Sequence, residues 1–277
     1  MICRRIALDP TDARVCMDCY VPEQPHADAR AAMLVIPGGG YQDLALDREG
    51  EAIALAFASR GLAAFVLSYR VGGDTDRFPK QLIDASRAIL YIRTHAEELC
   101  VDPARVYAVG FSAGGHLAGS LATMHALPAV TEPLGISAEE NRPTAVILCY
   151  PVVSAYAHAH TTSIKNLLGT PFDELTEEQR RLVSLEKNVT ERTCPMFLWH
   201  TAEDPWVPPT GTLLLAEALL SAHIPVMMHL YPHGPHGMAL SNNVTRAGND
   251  AWVDPLCEGW VDTALLWFDR LWEAGHR

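Results

Sequence analysis

No stretch of the 277-residue chain approaches the roughly 20 unbroken apolar residues that a helix needs to cross a bilayer, so no membrane span is expected. The first ten residues, MICRRIALDP, hold two arginines but no continuous apolar segment behind them, which argues against a secretory leader. Basic side chains are in short supply. Lys and Arg number 21 against 33 Asp and Glu, and the resulting net charge of −12 would repel a phosphate backbone, which sets nucleic acid aside as a partner. Cysteine is sparse and odd in number, seven in all, with no framework spacing, so reduced thiols in a cytosolic protein are expected. Cys16 and Cys19 match C-x-x-C. Residues 14–21 read as a strand, however, where an offset of three puts the two sulfurs on opposite faces, and no second such pair or partner histidine pair completes a metal site. Internal repeats and low-complexity tracts are also missing. The run of three glycines, residues 38–40, is not followed by Lys-Ser or Lys-Thr, which excludes a phosphate-binding loop.

What is present is apolar and punctuated. With 49% hydrophobic residues the chain can bury a large core, and a single domain over residues 1–277 is expected. Short, mainly apolar runs recur at residues 31–36 (AAMLVI), 62–69 (LAAFVLSY), 105–110 (RVYAVG), 145–150 (AVILCY), 196–200 (MFLWH) and 226–231 (VMMHLY), as buried strands would. Between them lie segments of helical spacing near residues 47–60, 79–99, 112–124, 210–222 and 253–272. Strands alternating with helices imply an α/β fold, a mostly parallel central sheet with helices on both faces. The alternation lapses at residues 151–194, where a short helix near 177–185 is announced by the capping-box spacing of Thr176 and Gln179. This stretch is expected to be a cap-like insertion over the functional site.

Gly110-Phe111-Ser112-Ala113-Gly114 fits G-x-S-x-G and falls where a strand meets a helix. That context is a nucleophile elbow, a turn tight enough to need glycine on either side and to hold the serine hydroxyl above the sheet. A serine hydroxyl needs a base to take its proton, and the base needs an acid to fix its tautomer. In this kind of sheet the acid follows a late strand and the histidine the last one. Residues 200–208 (HTAEDPWVP) and 233–237 (HGPHG) follow the strands at 196–200 and 226–231, offering Glu203 or Asp204 and His233 or His236. The i, i+3 pair His233 and His236 is not a helical metal pair, because Gly234 and Pro235 forbid the helix. Gly39 and Gly40, free of side chains, are expected to aim N–H groups at an oxyanion together with the amide of Ala113.

Together these motifs resemble the bacterial α/β-hydrolases often described as acetyl esterases or xylan-esterase-like lipases, relatives of the hormone-sensitive-lipase group. The likeness runs through PGGGY at 37–41, LSYR at 67–70, GFSAGGHLA at 110–118, NLLG at 166–169, HTAEDPWVP at 200–208 and HGMAL at 236–240. It implies the α/β-hydrolase fold with Ser112, Asp204 and His236 as the catalytic triad. Asp204 is favoured over Glu203 because x-x-Val-Pro after it resembles the family's acid loop, and His236 over His233 because of its family-like H-G. Tyr41, Phe111 and Trp206 are expected to bind substrate. The implied reaction is deacetylation of small esters, including acetylated sugars or xylo-oligosaccharides, through an acyl-serine, with no cofactor and no metal. Pro37 stands where the lipase-type H-G-G-G has histidine, so lipase details of that loop do not carry over. An amide hydrolase of the arylformamidase or small serine-peptidase type is the competing enzymatic reading, and a non-catalytic binding module of the same fold is the third. The partner is in each enzymatic case a small molecule, and the oligomeric state is left open.

Overall fold

The computed structural model describes residues 1–23 and 29–275. Eight strands form one sheet: β1 (Ile2–Ala7), β2 (Cys16–Val21), β3 (Arg30–Ile36), β4 (Ala63–Ser68), β5 (Val101–Phe111), β6 (Val146–Cys149), β7 (Met196–Thr201) and β8 (Val226–Tyr231), in the order β1-β2-β4-β3-β5-β6-β7-β8. β2 runs antiparallel to both β1 and β4, and every pairing from β4 through β8 is parallel. The parallel run is the α/β sheet expected from the apolar segments. β1 was not expected, and its composition explains why: only Ile6 of its six residues is buried, so it carries no apolar period.

Period-two alternation distributes the strand residues between two helix layers. In β3, Ala32, Leu34 and Ile36 join one core cluster while Ala31, Met33 and Val35 join the other. The first cluster is completed by Leu82 and Ile89 of the helix Lys80–Thr94, Leu117 and Leu121 of Ala113–Met124, and Leu215 and Leu219 of Thr210–Ser221. The second is completed by Ile53 and Phe57 of Glu51–Ala58 and by Trp260 and Phe268 of Trp260–Gly275. Cys19 faces the first cluster alongside Met17 and Val21, and Cys16 alternates to the other face. Both are free thiols.

β3 and β5 lie side by side, yet the helix that follows β3 and the helix that follows β5 pack on opposite faces. Their loops therefore diverge at the carboxyl edge of the sheet, which opens a crevice there. Into it project the glycine loop after Ile36 and the turn at Ser112. That turn is steric in origin. A Cβ on Gly110 would collide with the carbonyl oxygen of Gly114, and one on Gly114 with the carbonyl oxygens of Ile36 and Pro37. Ser112 itself is held at φ 54, ψ −118, a conformation that costs an L-residue energy and that the surrounding packing enforces.

Residues 151–194 carry the helices Thr161–Leu168 and Glu177–Leu182 and two short 3-10 turns. Thr176 caps the second helix through the expected box, accepting from Gln179 N while Gln179 Oε1 accepts from Thr176 N. The insertion is tied down elsewhere by Phe78 N–H donating to Leu167 O (2.9 Å) and by Arg77 Nη1 donating to Asn166 O (3.1 Å).

Because backbone oxygens cannot step aside as a flexible side chain can, Gly114→Ala is expected to destabilise the fold by about 3 kcal/mol. Gly259→Ala, whose added methyl meets nothing within 4 Å among the described residues, should stay within about 0.5 kcal/mol of the parent in the same chemical denaturation series.

Candidate active site

The backbone at Ser112 is pinned before its side chain is considered: its N–H donates to Cys149 O (3.0 Å), and its carbonyl accepts from His116 N and Val152 N (3.1 Å each). Oγ then lies 2.8 Å from His236 Nε2. On the far side of that ring, Nδ1 is 2.6 Å from Asp204 Oδ2. A carboxylate accepts only, so Nδ1 carries the hydrogen and Nε2 is free to accept the serine proton. Three residues from the ends of β5, β7 and β8 thus form one hydrogen-bonded chain.

Asp204 is more firmly held than that chain alone requires. Oδ1 accepts from the backbone N–H groups of Trp206 and Val207 (2.9 Å each), the turn made by the residues after it. Oδ2 also accepts from His200 Nε2 (3.0 Å). Burial would push this carboxyl up, yet the hydrogen bonds from His200 and His236 outweigh it and hold the group far below the ordinary carboxylate range. His200, fully buried at the end of β7, is fixed in turn by Val207 O at Nε2 (3.0 Å) and by the Thr212 hydroxyl at Nδ1 (2.8 Å). The neighbouring candidates go elsewhere: Glu203 pairs with His233 (3.0 Å), both well exposed on the surface.

The loop that carries His236 is clasped at several points. Thr201 Oγ1 donates to Gly234 O (2.8 Å), Trp252 Nε1 to His236 O (3.0 Å) and Arg48 Nη1 to Gly237 O (3.0 Å), with the Arg48 guanidinium 4.0 Å over the Trp252 ring. The ring of Tyr150 meets His236 edge-on at 5.0 Å. The Tyr150 hydroxyl donates to Glu49 Oε1 (2.9 Å) and accepts from Ala239 N (3.0 Å), and Glu49 Oε2 accepts from Gly38 N (2.7 Å). Burial raises the Glu49 carboxyl, against the pull of the Gly38 amide and the Tyr150 hydroxyl. Glu49, His200, Arg48 and Trp252 were missed in the sequence, since each acts through partners distant in the chain or in a turn whose shape no motif prints.

A cavity of about 580 Å³ opens over Ser112, bordered by Gly39, Gly40, His160, Trp206 and His236. The Gly38 amide is taken by Glu49, but among the described residues the N–H groups of Gly39, Gly40 and Ala113 have no acceptor. Ala113 opens its helix, where an N–H has no intrahelical partner. Trp206 reaches the cavity, with 69% of its surface exposed.

Tyr41 and Phe111, expected to bind substrate, do not reach it. Phe111 keeps the alternation of β5 and packs inward against Tyr150 and Trp260, ring centroids 6.0 and 6.1 Å away. Tyr41 adopts φ 59, which turns its side chain beneath the glycine loop, where it is 1% exposed. Its hydroxyl donates to His116 Nδ1 (2.7 Å), and His116 Nε2–H donates to Val183 O (2.7 Å), so a buried histidine links the glycine loop, the helix behind Ser112 and the insertion.

Burial lowers the His116 pKa from 6.5 to about 4. Between those values the unfolded chain binds a proton that the native state does not, so stability falls as pH drops through that window. His116→Gln should remove about one proton from the pH dependence of the unfolding free energy between pH 4 and 6.5. An unaltered slope in denaturant titrations across this range would show that His116 is not its source.

The BD-FAE family model matches residues 17–219. The chain is similar to endo-1,4-beta-xylanase B of Butyrivibrio fibrisolvens, 38% identical over 221 residues that cover 79% of this chain and 34% of that protein. It therefore spans about a third of the length of that curated relative. Among solved structures it is similar to the acetyl ester-xyloside bifunctional hydrolase from Caldicellulosiruptor lactoaceticus, with 33% identity, a TM-score of 0.77, and coverage of 94% of this chain and 96% of that one. It is also similar to MGS-M1, an α/β-hydrolase enzyme from a Medee basin deep-sea metagenome library, with 33% identity, a TM-score of 0.79, and coverage of 98% and 97%. With a model match across most of its sheet and full-length structural likeness at this identity, the chain carries the α/β-hydrolase fold and belongs to the BD-FAE family.

Proposed function

We propose that this protein is a serine carboxylesterase that removes acetyl groups from small esters, acetylated sugars or xylo-oligosaccharides in particular, through an acyl-serine intermediate. The observation that carries this reading is the unbroken chain Ser112 Oγ, His236, Asp204, set beside amides that have no acceptor among the described residues. The acetyl and xylose-linked names of the similar proteins support the choice of acyl group and alcohol.

In this mechanism Ser112 Oγ attacks the ester carbonyl carbon as His236 Nε2 takes the hydroxyl proton. The carbonyl oxygen gains the negative charge and is met by the N–H groups of Ala113, Gly39 and Gly40, which need no rearrangement to receive it. His236 returns the proton to the alcohol oxygen, the C–O bond breaks and the alcohol leaves. A water molecule then repeats the sequence on the acetyl-serine, giving its proton to His236 and releasing acetate. Asp204 stays ionised throughout and stabilises the imidazolium, a role suited to a carboxyl held by four donors. Residues 151–194 act as a partial cap, contributing His160 to the cavity wall.

Steady-state rates on p-nitrophenyl acetate, p-nitrophenyl butyrate, acetylated xylo-oligosaccharides and N-formyl-kynurenine test the reading. Acetyl esters should lead, and a preference for N-formyl-kynurenine would overturn it in favour of an amide hydrolase. Ser112→Ala should lower kcat by about six orders of magnitude with a nearly unchanged melting temperature. Asp204→Asn should cost about four orders of magnitude in kcat, because the amide would favour the wrong histidine tautomer. Near-parental activity in the asparagine variant would move the acid's role to a different carboxylate.

A further inference from the structure

Among the described residues, His160 is the one imidazole on the cavity wall that the chain Ser112, His236, Asp204 does not use. It sits half-buried immediately before the helix Thr161–Leu168, with Nδ1 2.7 Å from Ser163 Oγ. Ser163 is fully buried, and among the described residues its hydroxyl has no other partner. If Nδ1 carried the hydrogen, the serine would keep a buried O–H with nothing to receive it, an expensive arrangement. The serine therefore donates to Nδ1, and Nε2 bears the hydrogen. Nε2 has no partner among the described residues. Burial and the nearby His236 both lower the His160 pKa, which favours the uncharged ring with this tautomer.

The donor is also fixed in place. The helix that follows it is joined to the glycine loop by Asn166 Nδ2 donating to Gly40 O (2.9 Å), and to the body of the protein by its contacts with Phe78 and Arg77. A neutral N–H donor in a cavity that is also lined by the exposed indole of Trp206 suits an uncharged oxygen on a largely carbon frame. An anion would find no charge here to meet it from His160. An alkyl group would leave the N–H desolvated and unpaired.

We propose that His160 is a specificity-determining residue whose Nε2–H donates to a hydroxyl oxygen adjacent to the ester on the alcohol part of the substrate, so that the enzyme selects monoesters of vicinal diols and polyols. This rests on the esterase reading above and adds to it a named contact with the leaving alcohol. Nothing in the bond-breaking steps changes: the contact is made in the ground state as well as the transition state and appears chiefly in KM.

The test compares two probes that differ by one hydroxyl, trans-2-hydroxycyclohexyl acetate and cyclohexyl acetate, on the parent, His160→Ala and His160→Gln. The parent should favour the hydroxylated ester in kcat/KM by about three- to tenfold, the range of one hydrogen bond. His160→Ala should bring that ratio close to one, mainly through KM for the hydroxylated ester, while His160→Gln, which still carries an N–H donor, should restore part of it. A ratio that survives in His160→Ala, or rates that fall in parallel on both esters, would overturn the assignment. A parent that cleaves both esters without preference overturns the assignment alone. A parent that cleaves neither overturns the esterase reading and this inference with it.

Discussion

Four hydrogen bonds to one buried carboxylate set the geometry on which the rest of the site depends. Asp204 takes two from the turn that follows it and two from imidazoles, and the turn donors come from the residues that immediately follow it in the chain. Its orientation is thus determined locally, by the path of the chain from β7, before His236 arrives from the end of β8. His200 adds a second constraint from within the strand itself. The histidine loop is then positioned against a fixed acceptor, and the serine, held by the strain of its own turn, against a fixed imidazole. An isolated ionised carboxyl would be too costly to bury; four donors reverse the balance.

The glycine loop is positioned by a separate set of contacts. Glu49 accepts the Gly38 amide below, Tyr41 reaches down to His116, and Asn166 reaches across from the insertion to the Gly40 carbonyl. Each leaves the amides of Gly39 and Gly40 unused. Glu49 also joins this loop to Tyr150, and through it to the backbone at Ala239 and the ring of His236, so the glycine-loop amides and the imidazole share one support. Such preorganisation is what electrostatic stabilisation of a developing charge requires.

Much of this arrangement was legible from residue order. The parallel strands are short apolar runs that few other structures accommodate, and G-x-S-x-G, the acid cluster and the histidine cluster fall at strand ends in a fixed sequence. What was not legible is instructive in physical terms. β1 exposes five of its six residues and is held by backbone pairing to β2, so no side-chain period announces it. The helix Thr161–Leu168 begins without a side-chain cap, unlike Glu177–Leu182, whose box was readable. Helical spacing near residues 47–60 concealed a break at Gly50, where the chain turns between two helices. Adjacency to a motif also misled: Phe111 and Tyr41 touch functional residues in sequence, but strand alternation directs one inward and a positive φ buries the other.

One helix of the insertion, Thr161–Leu168, follows His160 at one end and presents Asn166 to Gly40 near the other. A lineage that lengthens, shifts or replaces this segment therefore alters the chamber wall and the bracing of the glycine loop in a single event. The register of this helix thus sets the position of His160 and of Asn166 together.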